Sequence, residues 1–129
     1  MEINSTSMLS PNNANLIFLV KELTQMKIFL PTGTSKVSVS DNVKLLSWLP
    51  QNDILGHPKT RLFIAHAGMN GMLESTYHGV PMICSPFFGD QFDNARIAKQ
   101  AGFGEVVDLD TTSAEDFVSL IHKVLNQPR

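Results

Sequence analysis

The segment 63–91, FIAHAGMNGMLESTYHGVPMICSPFFGDQ, constrains the fold more than any other part of the chain. Its apolar runs FIA and PMIC are too short for buried helices and read as strands. Between them the chain turns at Ala67-Gly68 and then offers a helix, which Gly79 stops. Asp90-Gln91 follows the second run and opens another helix. Strand, glycine-bearing turn, helix and strand in that order form a βαβ unit, and such units build parallel sheets. In these sheets ligands settle beyond the carboxyl ends of the strands, where loops lead into helix N-termini. His66, Gly68, Asn70, Gly71, Asp90 and Gln91 all fall at such places.

The alternation continues on both sides. Ser10-Pro11 is a helix-start signal ahead of an apolar-rich segment, 12–26, expected as a helix. Strands are expected over 27–30, 43–48, 62–65, 82–84 and 105–109, and helices over 51–55, 70–78 and 90–101. The last helix has the clearest period: Phe117, Leu120, Ile121, Val124 and Leu125 form one apolar stripe. Thr112 and Glu115 are spaced as a capping box at its start. The pattern implies an α/β fold, a parallel sheet with helices on both faces.

At 129 residues the chain has room for one domain with a real core, 1–129, and not for two. A net charge of −2 provides no broad basic surface for nucleic acid or an anionic membrane. Phosphate binding must then be local, through helix ends and single side chains. The one cysteine, Cys84, lies in an apolar strand and reads as a small buried hydrophobe. No run reaches the roughly 18 apolar residues of a membrane span, and no signal peptide is expected. Asn4-Ser5-Thr6 is a glycosylation triplet of a kind common by chance.

The candidate site residues each have a structural and a functional reading. His66 is either a core histidine or a donor facing a helix N-terminus; its place at a strand end favours the second. Gly68 and Gly71 let an anion approach backbone N–H groups closely. Glu74, one turn beyond Asn70, is either a solvated helix carboxylate or an acceptor for a vicinal diol. Asp90 is a natural N-cap, which would hold its carboxylate rigidly for sugar hydroxyls. Trp48 is a core residue or a stacking platform for a base. Asp108-Leu109-Asp110 has the D-x-D form of some metal-binding transferases, but its position before the last helix suits turn chemistry better. The histidines at 57, 66, 78 and 122 lack metal-ligand spacing, and no metal is expected. The dinucleotide fingerprint, the P-loop and the serine-hydrolase elbow are all absent.

From Trp48 through Gln91, beginning WLPQNDILGHPKTRLFIAHAGMNG, the chain closely resembles the donor-binding signature of the UDP-glycosyltransferases, most of all the animal UDP-glucuronosyltransferases. A looser similarity runs from about Asn12 to Pro128. The resemblance implies the Rossmann-like carboxyl-terminal domain of a two-domain GT-B transferase that needs no metal or other cofactor. By position, Trp48 would stack on uracil and Gln51 would contact the nucleoside. His66, Asn70 and Gly71 would hold the diphosphate, Glu74 the ribose hydroxyls, and Asp90 with Gln91 the sugar, with Gly68 also among the UDP-sugar-binding residues.

It further implies transfer of a hexosyl group, glucuronate by nearest likeness, from a UDP-sugar to a lipophilic acceptor with inversion. The catalytic base and acceptor pocket would lie in an amino-terminal half outside this chain. The parent family works on the lumenal side of the endoplasmic reticulum membrane. The alternative is an inactive short form that binds UDP-sugar or pairs, as a dimer, with a full-length transferase. Two small residues depart from the pattern: Ala65 stands where Ser or Thr is usual, and Ala67 where glycine is common.

Overall fold

The computed structural model describes residues 16–19 and 50–127. The strands expected over 27–30 and 43–48, and Trp48 with them, lie outside the described residues. Within them the order is β1 (Leu16–Leu19), α1 (Gln51–Leu55), β2 (Thr60–Ala65), α2 (Met69–Tyr77), β3 (Met82–Cys84), α3 (Gln91–Gln100), β4 (Gly104–Val106) and α4 (Ala114–Leu125). The strands form one sheet in the order β1-β2-β3-β4, and every pairing is parallel.

β1 corrects the expectation of a helix through 12–26. A short apolar run such as Leu-Ile-Phe-Leu carries no period that separates strand from helix. The edge of β2 settles it, pairing Ile17 with Leu62, Phe18 with Phe63 and Leu19 with Ile64.

β2 anchors the rest because it is buried on both faces. Phe63 and Ala65 point to one side and pack with Met82, Cys84, Ile54, Leu55, Met72, Ala95 and Ala98. Leu62 and Ile64 point to the other and join Ile83, Val107 and Val124, bordered by Phe117, Leu120 and Ile121. Alternate residues of one strand thus serve two cores, as the period of two requires. α1, α2 and α3 cover the first face and α4 the second. The α4 stripe read from the sequence is the one used here. Gly104 lets α3 approach β4, because a Cβ there would come within 3.0 Å of the Ala98 methyl.

Ser75, fully buried on α2, is paired on both its polar sides. Ser75 Oγ donates to the Val80 carbonyl at 2.6 Å, and Val80 N–H donates back to the Ser75 carbonyl at 2.9 Å. Cys84 is fully buried in the central strand β3, and burial pushes its thiol up to about 11.

The start of α4 differs by one residue from the expected capping box. Ser113, not Thr112, is the N-cap, and its hydroxyl accepts from Asp116 N–H at 3.1 Å. Both residues offer a hydroxyl, and the end of the preceding turn decides between them. That turn is built by Asp108, whose carboxylate accepts from Asp110 N–H at 2.9 Å. β4 is correspondingly shorter than the expected 105–109.

Glu105 joins the two helix layers. Its carboxylate accepts from Lys123 of α4 at 2.6 Å and faces Lys99 of α3 at 3.7 Å. The Lys123 hydrogen bond, supported by the charges of both lysines, holds its carboxyl below the ordinary range. A depressed carboxyl adds stability above its unfolded-state value and loses it as pH falls through the folded value. We therefore expect Glu105→Gln to be less stable than wild type at neutral pH in urea denaturation. The gap should close below about pH 4 and shrink in high salt.

Candidate functional site

β2 ends at Ala65, and the next three residues turn the chain out of the core into α2. Ala67 makes the turn possible with φ at +66°, the left-handed region, while its methyl remains fully buried. For an L-residue that conformation costs roughly 1–2 kcal/mol. The buried methyl offsets part of that cost, about 0.8 kcal/mol. Gly68 then returns to an extended conformation and stands as the N-cap of α2. Its carbonyl accepts the first intrahelical bond from Met72 N–H at 3.0 Å. The first-turn N–H groups of α2 have no partner within the helix and leave its mouth electropositive.

In front of this mouth is a cavity of about 300 Å³. Gln51, His66, Gly68, Asn70 and Gly71 line it, with the Phe63 ring at its floor. Gly68 has no room for a side chain, since a Cβ would overlap His66 Nε2. At Gly71 a Cβ would touch Phe63 and Gln51 at ordinary contact distance, so glycine keeps that wall low.

Glu74 reaches the site through Gln51, whose Nε2 donates to Glu74 Oε2 at 2.7 Å. One turn further along α2, His78 Nε2 meets Asn52 Oδ1 at 2.9 Å. The imidazole of His78 fills the space over Gly56. These two bonds moor α1, a single turn of five residues, against α2.

Asp90 and Gln91 arrive from the end of β3. Asp90 occupies the N-cap position of α3, but its backbone is already helical and its side chain makes no capping bond. The expected cap is therefore corrected: the carboxylate is held instead by Asn94, whose Nδ2 donates to Asp90 Oδ2 at 3.0 Å. The same nitrogen donates to the Ala67 carbonyl at 3.1 Å. Asp90 consequently stands beside the turn that carries His66. Gln91 is buried, and its Oε1 accepts from Phe87 N–H at 2.8 Å and Phe88 N–H at 3.3 Å. Its amide oxygen thus shapes the 86–90 loop, leaving the amide hydrogens for other partners.

Five of the nine sequence-derived candidates line one cavity, Glu74 is bonded to its rim, and Asp90 adjoins it through Asn94. Trp48 lies outside the described residues. Asn52, His78 and Asn94 were missed. Asn94 carried a signal, because it lies four residues after Asp90 on one helix face. Among the described residues no three His, Cys, Asp or Glu side chains gather as metal ligands.

The steric rule at Gly68 is directly testable. Its φ of −63° and ψ of 145° suit any residue, so only the His66 ring opposes a methyl. Gly68→Ala should fold normally while displacing the imidazole, seen as a changed His66 ring signal by NMR. An unchanged signal would mean that the ring is not seated against Gly68.

The chain is similar to a well-populated group of proteins. The family described as UDP-glucoronosyl and UDP-glucosyl transferase matches residues 8–129. UDP-glucuronosyltransferase 2A1 of Rattus norvegicus is 40% identical over 121 residues, covering 93% of this chain and 23% of the relative. Human UDP-glucuronosyltransferase 2B17 is 40% identical over 123 residues, covering 95% of this chain and 23% of the relative. The chain therefore spans about a quarter of the length of these relatives. Among solved structures, a UDP-glucose: anthocyanidin 3-O-glucosyltransferase in complex with UDP is 39% identical with a TM-score of 0.60, over 65% of this chain and 19% of that one. The glycotransferase of kitacinnamycin is 29% identical with a TM-score of 0.63, over 67% and 22% of the two chains. The sheet and its helices share the Rossmann-like arrangement of GT-B glycosyltransferases. With the family matched across nearly its whole length, this chain belongs to the UDP-glycosyltransferases.

Proposed function

We propose that the chain is the UDP-sugar-binding part of an inverting glycosyltransferase whose donor sugar is glucuronate. One observation carries this reading. A single cavity at the carboxyl end of β2 gathers Gln51, His66, Asn70 and Gly71 at a helix mouth, with Glu74 bonded to Gln51 at its rim. The helix mouth and His66 suit a diphosphate, Glu74 a ribose diol, and Asp90 the hydroxyls of a hexose. A solved relative in complex with UDP supports the nucleotide, and the glucuronosyltransferase relatives support the sugar. Trp48 would stack on the uracil.

In the complete enzyme, an acceptor hydroxyl attacks the anomeric carbon in line as the bond from that carbon to the diphosphate breaks. The acceptor proton passes to a base outside this chain, and UDP leaves. The part assigned here is to position the sugar and to meet the charge growing on the diphosphate. That charge is met by fixed N–H dipoles and His66, with no metal in the reading. Each preorganised donor of this kind can contribute about 3 kcal/mol in a dry site, and less where water has access. By family resemblance the parent works at the lumenal side of the endoplasmic reticulum membrane on lipophilic acceptors. Among the described residues no helix is long and apolar enough to cross a membrane.

Calorimetric titration of the 129-residue chain with UDP, UDP-glucuronate and UDP-glucose tests the reading. Saturable UDP binding that survives a chelator is expected, with UDP-glucuronate the tightest of the three; no binding of any of them removes the assignment. Glu74→Gln should lose more affinity for UDP than for its 2′,3′-dideoxy analogue. Equal losses would take Glu74 away from the ribose.

A further inference from the structure

Asn94 has no task in the donor-site reading, yet its amide touches both halves of the site. It lies in the first turn of α3, is 4% exposed, and uses one nitrogen to span two loops. Nδ2 carries two hydrogens, and each has an acceptor: the Ala67 carbonyl at 3.1 Å and Asp90 Oδ2 at 3.0 Å. The Asn94 backbone N–H also donates to the Asp90 carbonyl at 2.9 Å, so amide and helix start move together. Among the described residues Ala67 alone, glycines apart, has a positive φ. Such a conformation persists only where its surroundings fix it, and such residues cluster at functional sites. On either side of Ala67 stand His66 and Gly68, both in the cavity wall.

We propose that Asn94 is a positioning residue of the donor site. It locks the left-handed turn after β2 and the Asp90 carboxylate into one fixed relation, so that the diphosphate end and the sugar end are set together. The proposal rests on the donor-site reading. It also assigns the two Asp90 oxygens: Oδ2 is held by Asn94, and Oδ1 is the one offered to a sugar hydroxyl. No other side chain of this size does the same. Aspartate would set a carboxylate against a carboxylate and a carbonyl, and leucine has the shape without the donors.

The test uses the full 129-residue chain as wild type, Asn94→Ala, Asn94→Asp and the double variant Ala67→Gly/Asn94→Ala. Amide hydrogen exchange over residues 66–71 is read without ligand, and calorimetry gives the affinities for UDP and UDP-glucuronate. Asn94→Ala should speed exchange at Gly68 and Met69 and weaken both ligands by about tenfold or more. Glycine at 67 adopts the turn without strain, so the double variant should recover part of that affinity. Asn94→Asp should approach wild type as pH falls from about 7.5 to about 5.5, because the protonated acid regains one donor and loses the like-charge clash. Each value is taken relative to wild type at the same pH; His66, Asp90 and Asp93 are the titratable groups beside it in sequence or contact.

A variant that melts earlier yet keeps wild-type exchange and affinity would make Asn94 a stability residue only and overturn the proposal. If Asn94→Ala does not fold, the double variant and Asn94→Asp decide. Flat relative affinity for Asn94→Asp across the pH range, with no gain from glycine at 67, also overturns it. Absence of UDP binding by wild type would instead overturn the donor-site reading, and the exchange data still judge the turn.

Discussion

The constraint from which the rest follows is that β2 is buried on both faces. A strand with Leu62 and Ile64 in one core and Phe63 and Ala65 in the other cannot carry a polar side chain along that stretch. Its chemistry is confined to the point where it emerges, and there the chain must also turn sharply to lay α2 back on the sheet. The left-handed Ala67 is what that reversal requires, and the bare Gly68 after it leaves room for the His66 ring. Histidine, helix mouth and glycine wall come together because one geometric demand places all three.

The rim of the site has a different logic. α1 is a single turn, too short to be stable as an isolated helix. It is held by Ile54 and Leu55 in the core and by the side-chain bonds Gln51 to Glu74 and Asn52 to His78. One of these bonds is between two residues assigned to the nucleotide. Under the proposed assignment, part of the recognition surface is also part of the clamp that positions it.

The sheet and helix alternation was legible because βαβ periodicity is local. Apolar runs bounded by glycine, and the α4 stripe of Phe117, Leu120, Ile121 and Val124, can be read without knowing what they touch. That the candidates at the end of β2 line one cavity was legible for the same reason, since a strand end beside a helix start is a local feature. What was not legible depends on partners distant in sequence. Leu16–Leu19 became a strand because a neighbouring edge was available, which no window of four residues discloses. Asp90 looked like a cap from its position, but its helical backbone turned the carboxylate towards Asn94. Asn94 itself gains meaning only from the Ala67 carbonyl, 27 positions earlier in the chain.

The protein's sole sulfhydryl is sealed within the middle layer, and its high proton affinity keeps it from becoming a nucleophile near neutrality. Burial and the raised pKa both slow reaction of Cys84 with thiol-directed reagents. A cysteine introduced on the exposed surface would therefore be labelled much faster than the native one, a preference that fluorophores or spin labels could use.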